Sequence, residues 1–265
     1  MLLAAWGNSV SRRNDFYFCR IIAAGVGFIL FGLGGLLLGY VIFPLISLMS
    51  ADRRSAMLRC RRCIQMSFRI FIGYMSWVGI LTWEINGIEL LDKSGSIVIA
   101  NHPTLIDIVF LISMIPNATC IVKASLYKNI FTRGPVSWAG YIPNNEADTL
   151  MASCEAQLAD NANLVIFPEG SRSVPDKPLK LQRGAAHLWL RSRCDLSMVT
   201  IRVNPLTLAK HQKWYEVPYD RPHFQLVVKG ERLAEDAESD SNSPSADART
   251  ITRQWQNYFT REITA

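Results

Sequence analysis

The chain has 265 residues, 49% of them hydrophobic, and its 28 basic against 22 acidic side chains give a net charge of +6. That is long enough for one sizeable domain plus an extra segment, and too apolar for a disordered chain. The charge is uneven: residues 1–70 hold nine Arg and two acids, whereas the rest holds 19 basic and 20 acidic residues. Nucleic acid would call for a basic face on the folded domain, so no nucleic-acid partner is expected.

Arg20 and Asp52 bracket 31 residues without a charge. Ile21 to Phe43 alone would span roughly 35 Å as a helix, against a hydrocarbon core of about 30 Å. This predicts a membrane anchor within residues 1–62 with the lipid bilayer as partner. A cleaved signal peptide is disfavoured by the length of the run. Arg53, Arg54, Arg59, Arg61 and Arg62 outnumber Arg12, Arg13 and Arg20, which favours a cytoplasmic carboxyl side and contact with anionic headgroups. Because both flanks are basic, a single span and a re-entrant hairpin bent near Gly32–Gly35 and Pro44 both remain open. Gly35-x-x-x-Gly39 has the spacing of a helix-packing face. In so Gly-rich a segment, that spacing is read as chance.

Ile64, Phe68, Phe71, Ile72, Met75 and Val78 recur at helical spacing, interrupted by Arg69. They fit an interfacial amphipathic helix or an ordinary core helix at the start of a domain over residues 63–265. Further along, strands are predicted near 83–86, 96–100, 119–123, 163–167, 197–203 and 223–229. Helices are predicted near 104–114, 147–159, 184–193 and 247–263. The alternation implies an α/β fold. Glu235 to Asp247 is acidic and Ser-rich and reads as a flexible loop.

Two polar knots follow predicted strands. In Ala100-Asn-His-Pro-Thr-Leu-Ile-Asp107, the residue before proline is driven out of the α region, so His102 stands off the helix that Pro103 can open. Its ring can then fold back on Asp107, on the second turn, leaving one imidazole nitrogen to take a proton. A helix-start histidine beside a first-turn acid would give the same letters. The second knot, Phe167-Pro-Glu-Gly-Ser-Arg-Ser173, sits where α/β sheets form their ligand crevice. Arg172 beside Gly170 and Ser171 offers a guanidinium fork and free backbone N–H groups to a phosphate.

The two motifs in this order resemble those of the glycerolipid acyltransferase superfamily, typified by 1-acylglycerol-3-phosphate acyltransferases, over about residues 83 to 230. The resemblance implies a mixed sheet flanked by helices, and acyl transfer from acyl-CoA or an acyl-carrier protein to a lysolipid hydroxyl without an acyl-enzyme. It makes His102 the base and Asp107 its orienting partner. It places Glu169, Gly170, Ser171 and Arg172 at the acceptor, with Lys180 and Arg183 as further basic positions. The middle motif departs from the pattern: Asn145 and Glu146 stand where the family has an acid followed by a phosphate-contacting arginine. The stretch from Asn101 to Lys213-Trp-Tyr more closely resembles a bacterial branch found with aryl-polyene lipid genes. Together with the anchor, this implies a bacterial inner membrane with the domain on its cytoplasmic side, and leaves a specialised acceptor open.

A serine-hydrolase route is disfavoured, since no Gly-x-Ser-x-Gly elbow is present. Cys60-Arg-Arg-Cys63 has no second pair, and His187, His211 and His223 lack zinc spacing, so no metal or other cofactor is expected beyond the acyl donor as co-substrate. Two other classes stay open: a non-catalytic lipid-binding or assembly protein, and an acyl-thioester hydrolase in which water replaces the acceptor.

Overall fold

The computed structural model describes residues 17–144, 147–175, 177–230 and 244–264. Arg12, Arg13, Asn145, Glu146 and most of the acidic segment from Glu235 lie outside the described residues. The chain enters as α1 (Tyr17–Leu37), widens through one π-turn (Leu38–Ile42) and continues as α2 (Phe43–Leu48). This 32-residue helix is long and apolar enough to cross a membrane and is little buried. Pro44 does not bend it sharply: proline sits in the first turn of α2, where its missing N–H is tolerated, and the π-turn absorbs the mismatch.

Of the two readings left open, the hairpin bent near Gly32–Gly35 and Pro44 is not what the helix shows: the chain reverses at Met49–Asp52. There Asp52 accepts a hydrogen bond from Ser55 N at 2.8 Å and caps α3 (Arg53–Trp77). Helix α3 returns antiparallel along α1. Phe31 lies against Phe68 and Phe71 at centroid distances of 5.9 and 5.4 Å, and the Tyr74 hydroxyl donates to Ala23 O.

The sheet has seven strands: β1 (Thr82–Asn86), β2 (Ile97–Ala100), β3 (Ala118–Val122), β4 (Ile142–Pro143), β5 (Asn163–Ile166), β6 (Leu196–Asn204) and β7 (His223–Gly230). Their order is β1-β7-β6-β2-β5-β3-β4. Strands β6, β2, β5, β3 and β4 are mutually parallel; β7 pairs antiparallel with β6, and β1 runs parallel to β7. The α/β fold is therefore a mixed sheet flanked by helices. Central strands β2 and β5 are buried at every position, which is why each reads as an unbroken apolar run.

One face carries α3, α4 (Asp107–Met114) and α5 (Ile130–Trp138), around Ile64, Ile72, Phe110, Leu111 and Val136. The other carries α6 (Ala147–Ala159), α7 (Gly184–Ser192) and α8 (Pro244–Thr264), around Cys154, Leu188, Trp189, Ile251, Trp255 and Phe259. Of the two readings of the 64–78 helix, the core helix accounts for its buried side: Ile64, Ile72 and Met75 are buried, while Met66, Ile70 and Trp77 remain exposed. The expected boundary between residues 62 and 63 falls inside α3, which runs through it unbroken.

Two expectations about the amino-terminal third are corrected. The Gly35-x-x-x-Gly39 spacing is not chance. A Cβ on Gly39 would lie 2.7 Å from Gly134 Cα, and one on Gly35 would lie 2.3 Å from the Phe131 carbonyl, so α1 and α5 meet backbone to backbone. The Arg59–Arg62 cluster is not a uniform headgroup patch. Arg61 is 3% exposed and donates to Ala139 O, Asn117 Oδ1 and Gln157 Oε1 at 2.6–2.8 Å. Arg54 pairs with Asp160, and Arg59 donates to Met49 O. Arg20 is likewise buried, its guanidinium donating to the Tyr219 carbonyl. All six cysteines are free thiols.

Candidate active site

Strand β2 delivers the first motif to the carboxyl edge of the sheet. Asn101, fully buried behind it, donates to Ile201 O (2.8 Å) and accepts from Ile201 N (2.7 Å), fastening the loop to β6. The next residue, His102, presents Nδ1 to Asp107 Oδ2 at 2.8 Å. Asp107 is the first residue of α4, not a second-turn residue as expected. The turn Thr104–Ile106 precedes the helix because Thr104 N donates to Asp107 Oδ2 (2.7 Å) and Thr104 Oγ1 donates to Oδ1. Three donors thus converge on one carboxylate that is 0% exposed.

Burial pushes the Asp107 carboxyl above its ordinary range, and the bonds from His102 and Thr104 pull it back. The imidazole stacks on Phe167 at 4.0 Å between centroids, with the planes 17° apart. Its side chain is 17% exposed. Among the described residues Nε2 has no hydrogen-bond partner. With Nδ1–H given to Asp107, the Nε2 lone pair is free to accept a proton.

The second motif laces onto the first. Glu169 Oε1 accepts from His102 N (2.9 Å) and Ser173 Oγ (3.0 Å), and Ser173 N donates to His102 O (2.7 Å). Burial raises the Glu169 carboxyl pKa above its usual value. Gly170 has φ +69°, and a Cβ there would lie 2.5 Å from the Gln182 side-chain amide, so the turn closes around glycine. Gln182 N donates to Pro168 O at 2.7 Å.

Arg172 Nη1 donates to the carbonyls of Leu208 (2.9 Å) and Ala209 (3.0 Å) in the β6–β7 loop. Lys210 Nζ of that loop donates to Ser171 Oγ at 3.3 Å. The structure therefore brings together His102, Asp107, Glu169, Gly170, Ser171 and Arg172. Lys180 and Arg183 flank Gln182 and are exposed or nearly so, with no hydrogen bond to the His102–Asp107 pair among the described residues.

Sequence reasoning missed Thr104, Gln182 and the Leu208–Lys210 segment. For Thr104 a signal existed, because Thr-x-x-Asp is the spacing of a reciprocal helix cap. The loop residues carry no periodicity, and their partners lie some forty residues earlier in the chain.

Residues 82–205, covering both motif loops, match the family model described as Acyltransferase. A putative 1-acyl-sn-glycerol-3-phosphate acyltransferase, acl-2, from Caenorhabditis elegans is 26% identical over 172 residues, covering 61% of this chain and 58% of its own. A 1-acyl-sn-glycerol-3-phosphate acyltransferase from Helicobacter pylori is 32% identical over 115 residues, covering 39% of this chain and 48% of its own. This chain thus spans about half the length of these curated relatives. The crystal structure of the acyltransferase PlsC from Thermotoga maritima superposes with a TM-score of 0.65 over 93% of this chain and 97% of that one, at 14% identity, a likeness of fold. Residues 82–205 are thus similar to the Acyltransferase family, and the fold is that of the Thermotoga maritima structure.

Proposed function

We propose that this chain is an O-acyltransferase of the 1-acylglycerol-3-phosphate type, moving an acyl group from a thioester to a lysolipid hydroxyl with His102 as general base. The observation that carries this reading is the imidazole held at Nδ1 by a fully buried carboxylate and left unbonded at Nε2. A protein that only bound lipid would gain nothing from sequestering a carboxylate at such desolvation cost.

In the proposed reaction the acceptor hydroxyl gives its proton to Nε2 as its oxygen attacks the thioester carbonyl. Asp107 stabilises the imidazolium that forms. The tetrahedral intermediate then collapses, the C–S bond breaks, and the imidazolium proton goes to the departing thiolate. Thr104 and Glu169 position the pair: one fixes the carboxylate, the other fixes the backbone of His102. The thioester is already activated, so proximity and deprotonation are the main demands on the protein.

The domain is proposed to work at a bilayer. Ile22, Ile29, Leu33, Leu37, Leu45 and Leu48 on the first helix, with Ile70 and Trp77 on α3, leave an exposed apolar surface larger than water-soluble domains usually tolerate. A bacterial inner membrane with the domain on the cytoplasmic side, and acyl-CoA or acyl-carrier protein as donor, complete the reading. The test is mass spectrometry of products formed by purified protein in mixed micelles with each donor. His102→Ala is expected to lower transfer by about a hundredfold to ten-thousandfold, the usual share of a general base, while the thermal midpoint holds. Transfer at the parental rate would remove His102 from this role.

A further inference from the structure

The site holds more positive charge than its acids can use. Asp107 is committed to His102 and Thr104, and Glu169 to the backbone of His102 and to Ser173. Among the described residues no carboxylate lies within ion-pair distance of Arg172 or Lys210. The two cations are not equivalent. Arg172 spends Nη1 on two carbonyls, and turning it toward a ligand would release the β6–β7 loop. Lys210 is half-buried and its one bond is a long contact, 3.3 Å, to a neutral hydroxyl. An ammonium withdrawn from water with only a hydroxyl for company is poised for an anion.

We propose that Lys210 binds the phosphate of the acceptor lipid, taking over the role that the middle motif's arginine has in related sequences and that Asn145-Glu146 does not supply here. This rests on the acyl-transfer reading and names the residue that would make the site select a phosphorylated acceptor. Its attachment to the motif loop favours the acceptor's phosphate over the donor's. Ser171, which Lys210 touches, is two residues from Glu169 and two from Ser173, both bonded to the backbone of His102. Lys210 is therefore tied to the short loop that holds His102. An acceptor hydroxyl and its phosphate share one glycerol unit, so a cation on that loop is placed for the acceptor's phosphate. A donor's nearest phosphate lies at the far end of the pantetheine arm, farther from the reacting carbonyl. The loop that carries Lys210 is itself pinned in place. Leu105 N donates to Leu208 O at 3.1 Å, Ala209 N donates to Gln212 Oε1 at 2.9 Å, and Leu208 has φ +51°.

The experiment compares the parent protein with Lys210→Gln and Lys210→Arg in mixed micelles, using 1-acylglycerol 3-phosphate and uncharged monoacylglycerol as acceptors. Equilibrium binding of 1-acylglycerol 3-phosphate is measured alongside. Loss of a charge-assisted contact is expected to raise the acceptor KM and weaken binding by about tenfold or more in Lys210→Gln. Preference for the phosphorylated over the uncharged acceptor falls by the same factor, the donor KM stays put, and Lys210→Arg recovers most of the loss.

Unchanged phosphate-lipid binding, a donor KM that moves in place of the acceptor KM, or equal losses on both acceptors would overturn the proposal. So would a parent that does not bind the phosphate lipid. Should the parent bind it in a Lys210-dependent way without turning it over, the acyl-transfer reading fails and the assignment of Lys210 stands. A drop in thermal midpoint that Lys210→Arg shares, without loss of binding, would mark a structural role and overturn it as well.

Discussion

The two edges of the central sheet each carry a buried polar network, and they differ in completeness. At the amino edge, Arg61 spreads three nitrogens over Ala139 O, Asn117 Oδ1 and Gln157 Oε1. Beside it Asn163 accepts from both Ser96 N and Ser96 Oγ and donates to Lys93 O and Pro116 O. Every one of those groups is matched, as a purely structural network demands. At the carboxyl edge the equally buried Asp107 is matched by three donors, but the chain of bonds ends on His102 with one nitrogen unbonded. A closed network holds the fold; the open one leaves a single lone pair unbonded.

Breaking the open network should cost activity and spare stability. In Asp107→Asn the imidazole loses the charge that favours its protonated form, and the loss in kcat is expected at about ten-thousandfold, as for an orienting aspartate elsewhere. Since burial raises the Asp107 carboxyl pKa, the neutral amide should leave the thermal midpoint level or higher. A melting scan showing a large drop would make Asp107 a structural residue first.

Breaking the closed network should do the reverse. Arg61→Ala leaves two side-chain acceptors and a carbonyl unmatched in the interior, a loss of about 3 kcal/mol or more. Chemical denaturation reads the loss directly, and turnover per folded molecule should hold. Turnover falling while the fold survives would couple the two edges.

The smallest effect sharpens the picture through pH. The Glu169 carboxyl is raised by burial, so the folded protein holds that proton more tightly than the unfolded chain. Below its ordinary pKa the side chain is neutral in both states and contributes nothing. As pH rises through the ordinary and then the raised value, the ionisation penalty grows and parental stability declines by that amount. Glu169→Gln lacks this dependence, so its stability relative to the parent should increase as pH rises above the ordinary carboxylate range. A gap that stays flat or narrows would show that the carboxylate is not penalised where it sits.

What the sequence revealed follows the range of the interactions involved. The central strands were legible because burial on both faces leaves uninterrupted apolar letters, as in Ile97–Ala100 and Leu164–Ile166. The His102–Asp107 pair was legible because proline and a five-residue separation are local facts. Helix α5 was not, since Gly134-Pro135 sits in its middle, and β4 is only two residues long. The role of Arg61 was hidden for another reason. In letters it belongs to a run of arginines, and only its partners, 56 to 96 residues away, separate it from Arg62 beside it. Lys210 was missed on the same grounds, its loop being tied to the site solely by contacts across the fold.

The seam where Gly39 of the first helix meets Gly134 of α5 bears on how freely this protein could exchange its first helix. With a Cβ on Gly39 only 2.7 Å from the opposing backbone, there is no room for even a methyl group. An apolar helix transplanted from elsewhere could match the length and hydrophobicity of this one, yet would fail to seat unless it brought glycines at the positions of Gly35 and Gly39. The first helix is for that reason less a mooring line than a fitted wall of the fold, and lineages exchanging such segments would have to exchange α5 with them.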